Sequence, residues 1–293
     1  MRVGAIVVHH RSFPDVVNTV EQIVLQGVQP SDVVVVDNSE SAEILLDLRS
    51  ALPRDVLLLD VTNDGYAAAV NTGVRELLGR ADPVEAVLVS THETEPSPGA
   101  VDHLVSALRA DPSLGVVGPA LTNRAQSTQT LWSTGGELVR PTLRARHVGA
   151  GQPIRPSTAL TVEERDWLDG SFCLYRAQVF REAQLCEEYF LYFEELDFHV
   201  ELARRGWGVA CVTSALVAQS SNGMPAYYYG RNLRLFQKRH GTALSRGLAL
   251  PEALAVQLRG MLAGHVTRAD IQAFCRGWFA WRGFRAVAPR RRS

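Results

Sequence analysis

A chain of 293 residues with 46% hydrophobic content is long enough for one large or two small domains and carries enough apolar side chain for a full core, which excludes a mostly disordered protein. Thirty basic and 31 acidic residues leave a formal net charge of −1, which excludes a nucleic-acid binder relying on overall positive potential, so any basic surface is local. Cys173, Cys186, Cys211 and Cys275 lie far apart with no Cys-x-x-Cys pair, and read as buried thiols in a reducing cytoplasm rather than zinc ligands or a disulfide framework. Met1 leads straight into a strand-like run, and no run approaches the ~20 apolar residues of a bilayer span; the expectation is a cytoplasmic chain, soluble or at most peripheral to the membrane.

Residues 3–8 and 33–36 are short apolar runs rich in β-branched side chains, the composition of strands covered on both faces of a parallel sheet. Between them, residues 15–26 place Val16, Val20, Ile23 and Val24 at helical spacing and stop at Gly27, which makes a βαβ unit. The second strand ends in Asp37-Asn38-Ser39, at the carboxyl edge where open α/β sheets bind ligands; the same tripeptide also serves turns and helix caps. A third strand, residues 56–60, runs into Asn63-Asp64-Gly65-Tyr66 and an Ala-rich helix whose first N–H groups suit a phosphate. A fourth, residues 86–89, runs into Ser90-Thr91-His92-Glu93-Thr94-Glu95. Residues 101–108 read as a helix, and 114–117 as a strand ending at Gly118-Pro119. From 121 to about 156 the sequence reads as irregular, and loops of that length are functional or mobile. Trp132 and Trp167 are either platforms on which a ligand stacks or core anchors.

Glu194, Glu195 and Asp197 follow the aromatic residues Tyr189, Phe190, Tyr192 and Phe193 and open a helix with Leu196, Val200 and Ala203 at helical spacing. Acids suit the unpaired N–H groups of a helix start, and carboxylates beside aromatic rings are partly desolvated, which raises their pKa toward general-base duty. Residues 208–212 and 215–218 are strand-like, and a helix beginning at Tyr227 carries Arg234, Lys238, Arg239 and His240. After Ala269, six arginines (Arg276, Arg282, Arg285, Arg290, Arg291, Arg292) stand against Asp270 alone, interleaved with Phe274, Trp278, Phe279, Trp281 and Phe284. A helix there packs against the rest of the chain, lies on an anionic membrane surface or forms a homodimer contact, and the sequence leaves the three open.

Several of these stretches together resemble the inverting family 2 glycosyltransferases, in particular the rhamnosyltransferase-like ones. Tyr189-Phe190-Leu191-Tyr192-Phe193-Glu194-Glu195-Leu196-Asp197 is similar to the family's Phe-Phe-x-Tyr-x-Glu-Asp-x-Asp, with a helix ending Arg204-Arg205-Gly206 as in the family. Residues 63–73 match Asn-x-Gly-Phe-Ala-x-Ala-x-Asn-x-Gly with Tyr66 in place of Phe. Pro96-Ser97-Pro98-Gly99-Ala100 is intact, but the preceding Asp-x-Asp is replaced by Thr91-His92-Glu93, and Gln219 stands where many relatives carry a metal-binding His. Leu168-Asp169-Gly170 through Arg176 resembles Val-Asp-Gly-Ala-x-x-Leu-x-Arg, and Tyr228 through Asn232 is similar to the Tyr-x-x-Arg-Asn that closes the catalytic domain.

The resemblance covers roughly residues 1–245 and implies the GT-A fold, an α/β mixed sheet flanked by helices, as a catalytic domain at residues 1–225 with a helical C-terminal extension at 226–293. It implies inverting transfer of a sugar from a UDP- or dTDP-sugar to a hydroxyl of a glycan, a lipid-linked sugar or a natural product. In that reading Glu195 is the base, with Glu194 and Asp197 orienting it and the donor sugar. The donor meets His9, Asp37, Asn38, Asn63, Gly65, Tyr66, Asn71, Thr91 and Glu93. Trp167, Asp169 and Gly170 border the acceptor. Glu93 holds Mg²⁺ or Mn²⁺ weakly, the ion arriving with the diphosphate. The rival classes are a non-catalytic nucleotide-sugar-binding module and a sugar nucleotidyltransferase. The latter would carry a Gly-rich loop where His9-His10-Arg11-Ser12 stands.

Overall fold

The valine-rich runs at the start of the chain form a parallel sheet in the computed structural model, which describes residues 1–123, 130–154, 159–220 and 223–280. In chain order they give β1 (Val3–His9), α1 (Asp15–Leu25), β2 (Val33–Asp37), α2 (Ala42–Ala51), β3 (Leu57–Asp60), α3 (Tyr66–Leu78) and β4 (Ala86–Thr91). Each strand of β1, β2 and β4 is covered on both faces, so alternate residues enter different cores: Ala5 and Val7 meet α1, while Ile6 and Val8 meet α3. The sequence reading lacks α2, which buries only Leu48 fully and therefore shows little apolar periodicity.

The chain continues through β5 (Thr94–Pro96), α4 (Ala100–Ala110) and β6 (Leu114–Asn123). Contrary to expectation, β6 runs straight through Gly118-Pro119. Pro119 pairs with Val212 just where the partner strand slips from Val212 to Leu216, so the missing N–H falls at an irregularity rather than in a regular ladder. The stretch expected to be irregular also holds structure: β7 (Leu131–Ser133), β8 (Gly136–Val139) and β9 (Arg144–His147), the last two an antiparallel hairpin. Then follow β10 (Val162–Glu164), β11 (Phe172–Arg176), α5 (Ala177–Glu182), α6 (Glu194–Arg204) and β12 (Gly208–Gln219), the last a single bulged strand where two were expected. The strand order is β10-β12-β6-β11-β4-β1-β2-β3, with β11 antiparallel to both neighbours, so the mixed sheet flanked by helices is present as expected.

Three further helices, α7 (Ala226–His240), α8 (Ala243–Leu262) and α9 (Arg268–Phe279), form the helical extension. A third hydrophobic cluster joins Leu233 and Phe236 of α7, Ala249 and Ala253 of α8 and Phe274 and Trp278 of α9 to Trp167, Tyr189, Phe193 and Leu196. Phe274 and Trp278 are thus core anchors, which corrects any reading of them as membrane-inserted aromatics. Trp281, Phe284 and the five arginines from Arg282 to Arg292 lie outside the described residues. Glycines set the spacing of α7 and α9: a Cβ on Gly277 would lie 2.0 Å from the Tyr227 carbonyl oxygen, and one on Gly230 2.1 Å from that of Phe274.

Candidate active site

Parallel strands β2, β1 and β4 end side by side, and their carboxyl ends form a crevice with two chemically different parts. At the β1–β2 end, His9 and Asp37 are register partners and fully buried. His9 Nδ1 donates to Asp37 Oδ1 (2.8 Å) while Nε2 accepts the Ser12 N–H (2.9 Å), which fixes the Nδ1–H tautomer. Burial works to raise the Asp37 pKa, but the bonds from His9 and Ser39 outweigh it and hold the carboxyl below its ordinary value. Asp37 Oδ2 is buried without a hydrogen-bond partner. Asn38 Nδ2 reaches Asn63 Oδ1 (3.2 Å), so the expected donor residues His9, Asp37, Asn38 and Asn63 do come together.

Two expected donor contacts have other work. Gly65 has φ +100°, and a Cβ there would lie 2.4 Å from the Phe190 carbonyl oxygen; the adjacent Tyr66 N–H donates to that same oxygen (2.9 Å). Asn71 is buried and spent on the chain before α6, its Nδ2 donating to Leu185 O and Glu187 Oε1 (both 2.9 Å) and its Oδ1 accepting Leu185 N–H (3.2 Å). The Asn-x-Gly turn and its helix therefore fix the segment that delivers the acids of α6.

Two strand spacings from Asp37, about 10 Å away, opens a cavity of about 610 Å³, within the size range of small-molecule sites. Its wall includes Tyr66, Thr91, Glu93, Trp167, Asp169, Gly170, Glu194 and Glu195. The hairpin and its neighbour add Trp132, Arg144 and His147, which the sequence reading missed as a group because residues 130–147 lack the alternating apolar pattern of a buried strand. His147 lies between the two tryptophans, at 5.7 Å from Trp132 and 5.0 Å from Trp167, and bonds Asp169 Oδ1 through Nε2 (2.8 Å). Burial lowers its pKa, but the Asp169 carboxylate outweighs that and raises it.

Tyr192 and Phe193, immediately before α6, both adopt left-handed backbone (φ 69° and 74°), a strain of about 1–3 kcal/mol each. Residues of α7 hold them there: Asn232 Nδ2 donates to Leu191 O (2.8 Å) and Tyr192 O (2.9 Å), and Arg231 Nη2 to Glu188 O (2.6 Å). This turn points the first acids of α6 into the cavity wall. Burial, reinforced by the Glu195 charge, pushes Glu194 well above the usual carboxylate range. Burial likewise raises Glu195 to about 7, with Asp169 adding to the effect and His147 opposing it. Gly170 leaves the room: a Cβ there would sit 3.1 Å from Glu195 Cβ and Cγ.

Asp197 does not belong with them, which corrects the catalytic expectation. It is buried off the cavity wall and accepts from Tyr189 (3.1 Å), Arg239 (2.7 Å) and His240 (2.7 Å). Burial would raise its pKa, yet the bonds from His240 and Arg239 lower it, so Asp197 is an ionised tether between α6 and α7. His92 also turns away, bonding the Val8 carbonyl through Nδ1 (3.3 Å).

Among the described residues, five cavity-wall side chains bury a polar atom with no hydrogen-bond partner: Thr91 Oγ1, Trp167 Nε1, Asp169 Oδ2, Ser171 Oγ and Glu194 Oε2. Such atoms cost about 1–3 kcal/mol each when left unmade. Their concentration on one wall calls for a ligand rich in hydroxyls. For a metal, the end of the wall matched to the family's Asp-x-Asp offers one carboxylate, Glu93, which accepts from Ser220 (3.0 Å), beside the oxygens of Thr91 and Gln219. No described group of three or more His, Cys, Asp or Glu is arranged to hold an ion. Such a set does not build a resident site, but it fits an ion that shares oxygen ligands with a bound diphosphate.

Comparison with known proteins gives a consistent answer. The family described as Glycosyltransferase like family 2 matches residues 2–236. N-acetylglucosaminyl-diphospho-decaprenol L-rhamnosyltransferase of Mycobacterium tuberculosis, in strains CDC 1551 / Oshkosh and H37Rv, is 28% identical over 204 residues, 64% of this chain and 66% of that protein, so about a third of the relative lies outside the match. Among solved structures, the mannosyltransferase PcManGT from Pyrobaculum calidifontis in complex with GDP-Man and Mn²⁺ aligns with TM-score 0.56 and 16% identity, covering 95% of this chain and 80% of that one. GalNAc-T7 with UDP, GalNAc and Mn²⁺ aligns with TM-score 0.53 and 13% identity, covering 79% of this chain and 47% of that one. At those identities the likeness is one of fold.

Proposed function

Since the chain belongs to the glycosyltransferase like family 2 and has the GT-A fold, we propose that it is an inverting transferase that moves a sugar from a pyrimidine nucleoside diphosphate sugar, UDP- or dTDP-linked, to a hydroxyl of a lipid-linked sugar. One observation carries this reading: a carboxyl poised near neutral pH, Glu195, lines the same cavity as five buried polar atoms without partners.

Asp37, ionised and with one buried oxygen unpaired, accepts the ring N–H of the pyrimidine, while Asn38 and Asn63 flank the nucleoside. The donor sugar satisfies Thr91, Ser171 and Asp169, and Trp132 and Trp167 give it apolar faces. Glu195, which burial makes a stronger base than an exposed carboxylate, takes the proton from the acceptor hydroxyl as its oxygen attacks the anomeric carbon from the face opposite the diphosphate. Glu194, kept protonated, adds no second charge beside the attacking oxygen. Glu93, Thr91 and Gln219 would hold a Mg²⁺ or Mn²⁺ ion arriving with the donor, and bound there it would neutralise the charge developing on the leaving diphosphate.

Release of nucleoside diphosphate, measured across UDP- and dTDP-sugars with and without a polyprenyl-diphosphate-linked sugar acceptor, tests this. Glu195→Gln should keep donor binding and lose turnover by about 10²–10⁴-fold, as when a general base is removed. Turnover near that of the parent would reject Glu195 as base. A parent enzyme that forms a nucleotide-sugar from a nucleoside triphosphate would instead support the nucleotidyltransferase class.

A further inference from the structure

Among the described residues, a long helix face on α8 is left uncovered, and it is not the aromatic one. On α8, Leu244, Leu248, Pro251, Ala255, Leu258 and Leu262 follow one another at intervals of four, three, four, three and four residues, and all six are exposed. The leucines are 62%, 41%, 48% and 86% accessible. At about 100° per residue the six positions fall within about 80° of one another, an unbroken apolar seam along the helix. The opposite face, with Ser245, Ala249 and Ala253, is the one that packs on α7 and its neighbours.

Charge says what covers the seam. Residues 243–293 carry nine arginines and two acids, so with a chain total of −1 the preceding 242 residues carry a formal −8. Both acids are already engaged, Glu252 by Arg144 (2.9 Å) and Asp270 by the Thr267 cap of α9 (2.9 Å). Arg259 flanks the seam itself, about 60° from Leu244 by the helical screw. A second copy seated on the seam would bring two such positive segments together, and Pro251 would interrupt the regular packing of two helices. An anionic lipid surface matches both the apolar face and the charge. Among the described residues no helix is long and apolar enough to cross a membrane, so the helix lies on the surface.

We propose that α8 docks this protein on anionic bilayers with its leucine seam in the interface, and not Phe274 and Trp278 of α9, which are spent on the core. The opposite edge of the same helix meets the active site: Val256 lines the cavity beside Met224, and Glu252 holds Arg144 of its wall. Docking therefore brings the cavity mouth to the bilayer, where an acceptor carried on a lipid would present its sugar; that last clause rests on the function proposed above, whereas the docking itself does not.

Flotation of the full chain with acceptor-free vesicles tests the docking separately from transfer. With vesicles of phosphatidylglycerol and phosphatidylcholine the protein should float, less so at high salt, and it should not float with phosphatidylcholine alone. Leu248→Glu/Leu258→Glu should lower the bound fraction at least tenfold with an unchanged thermal midpoint. Should that double variant fail to fold, Leu262→Glu, at the most exposed position, should lower binding in the same direction. Binding of the seam variants equal to the parent would overturn the proposal. So would absence of binding by the parent, or a parent dimer that the substitutions split without any lipid binding, which would give the seam to a second copy.

Discussion

Glu195 and His147 form a small electrostatic circuit whose settings fix when the site works. In its proposed role as base Glu195 must be deprotonated, so kcat/KM should rise with pH and level off above about 7, the value to which burial raises Glu195. His147 holds that value down, both by its own charge and by engaging Asp169, which pushes it up. His147→Ala should therefore move the rising limb to higher pH. A merely structural role for His147 would lower the rate without moving the limb, so a pH profile of the variant separates the two. The same circuit has a stability sign. Glu195 has a folded pKa above its unfolded one, so its neutral form favours the fold below about pH 4.5, and that contribution is lost as pH rises through about 7. Glu195→Gln, always neutral, should raise the thermal midpoint relative to the parent at pH 8 and not at pH 4. His199 runs the other way: burial lowers it to about 3, with Nδ1 accepting from Leu168 N–H (3.1 Å) and Nε2 bonded to Tyr175 (2.9 Å). Its contribution is complete above about pH 6.5 and is lost as pH falls toward 3.

At the scale of elements, α7 does for the site what α6 alone does not. Two consecutive left-handed residues precede Glu194, and Asn232 accounts for the carbonyls of Leu191 and Tyr192 that such a turn exposes. Asn232→Ala should lower kcat while leaving the nucleotide end of the crevice, and hence donor binding by calorimetry, within about twofold of the parent. Helix α7 itself is placed by glycine contacts with α9, so Gly277→Ala should destabilise the chain by about 1–3 kcal/mol in urea titration, as overpacking does, without touching the cavity. Much of this was legible in the sequence. The acids at the start of α6, the tripeptide after β2 and the Asn-x-Gly turn all declare themselves by composition at a strand or helix end. What stayed hidden depends on contacts between distant segments: Asp197 reads like its neighbours Glu194 and Glu195, but two residues beyond Glu195, about 200° further round the helix, it faces Arg239 and His240 instead of the cavity. The β8–β9 hairpin stayed hidden because its strand residues are mostly polar or half-buried, so period-2 hydrophobicity never arises.

Across the whole molecule, the topology makes one site of two parts, since β1 lies between β2 and β4 in the sheet although β2 precedes β4 by some fifty residues in the chain. In the function proposed above, Asp37 at one end and Glu93 at the other would address one ligand from opposite sides of β1, the nucleoside from the first and the diphosphate from the second. The wall near Glu93 carries a single carboxylate, too little negative charge to hold a divalent ion by itself but enough to help one already ligated by phosphate oxygens. Metal and nucleoside diphosphate should then bind cooperatively, each tightening the other by the same factor. Measured by thermal shift, Mn²⁺ alone should leave the melting temperature unchanged. Either UDP or dTDP alone should raise it modestly, and the two together should raise it by more than the sum. Glu93→Ala should abolish that surplus while keeping the nucleotide's own shift, and Asp37→Asn should do the reverse, weakening the nucleotide shift in the absence of metal. An equal surplus in the parent and in Glu93→Ala would show that the diphosphate is neutralised elsewhere, and the acid at position 93 would then have a structural role that includes its bond to Ser220.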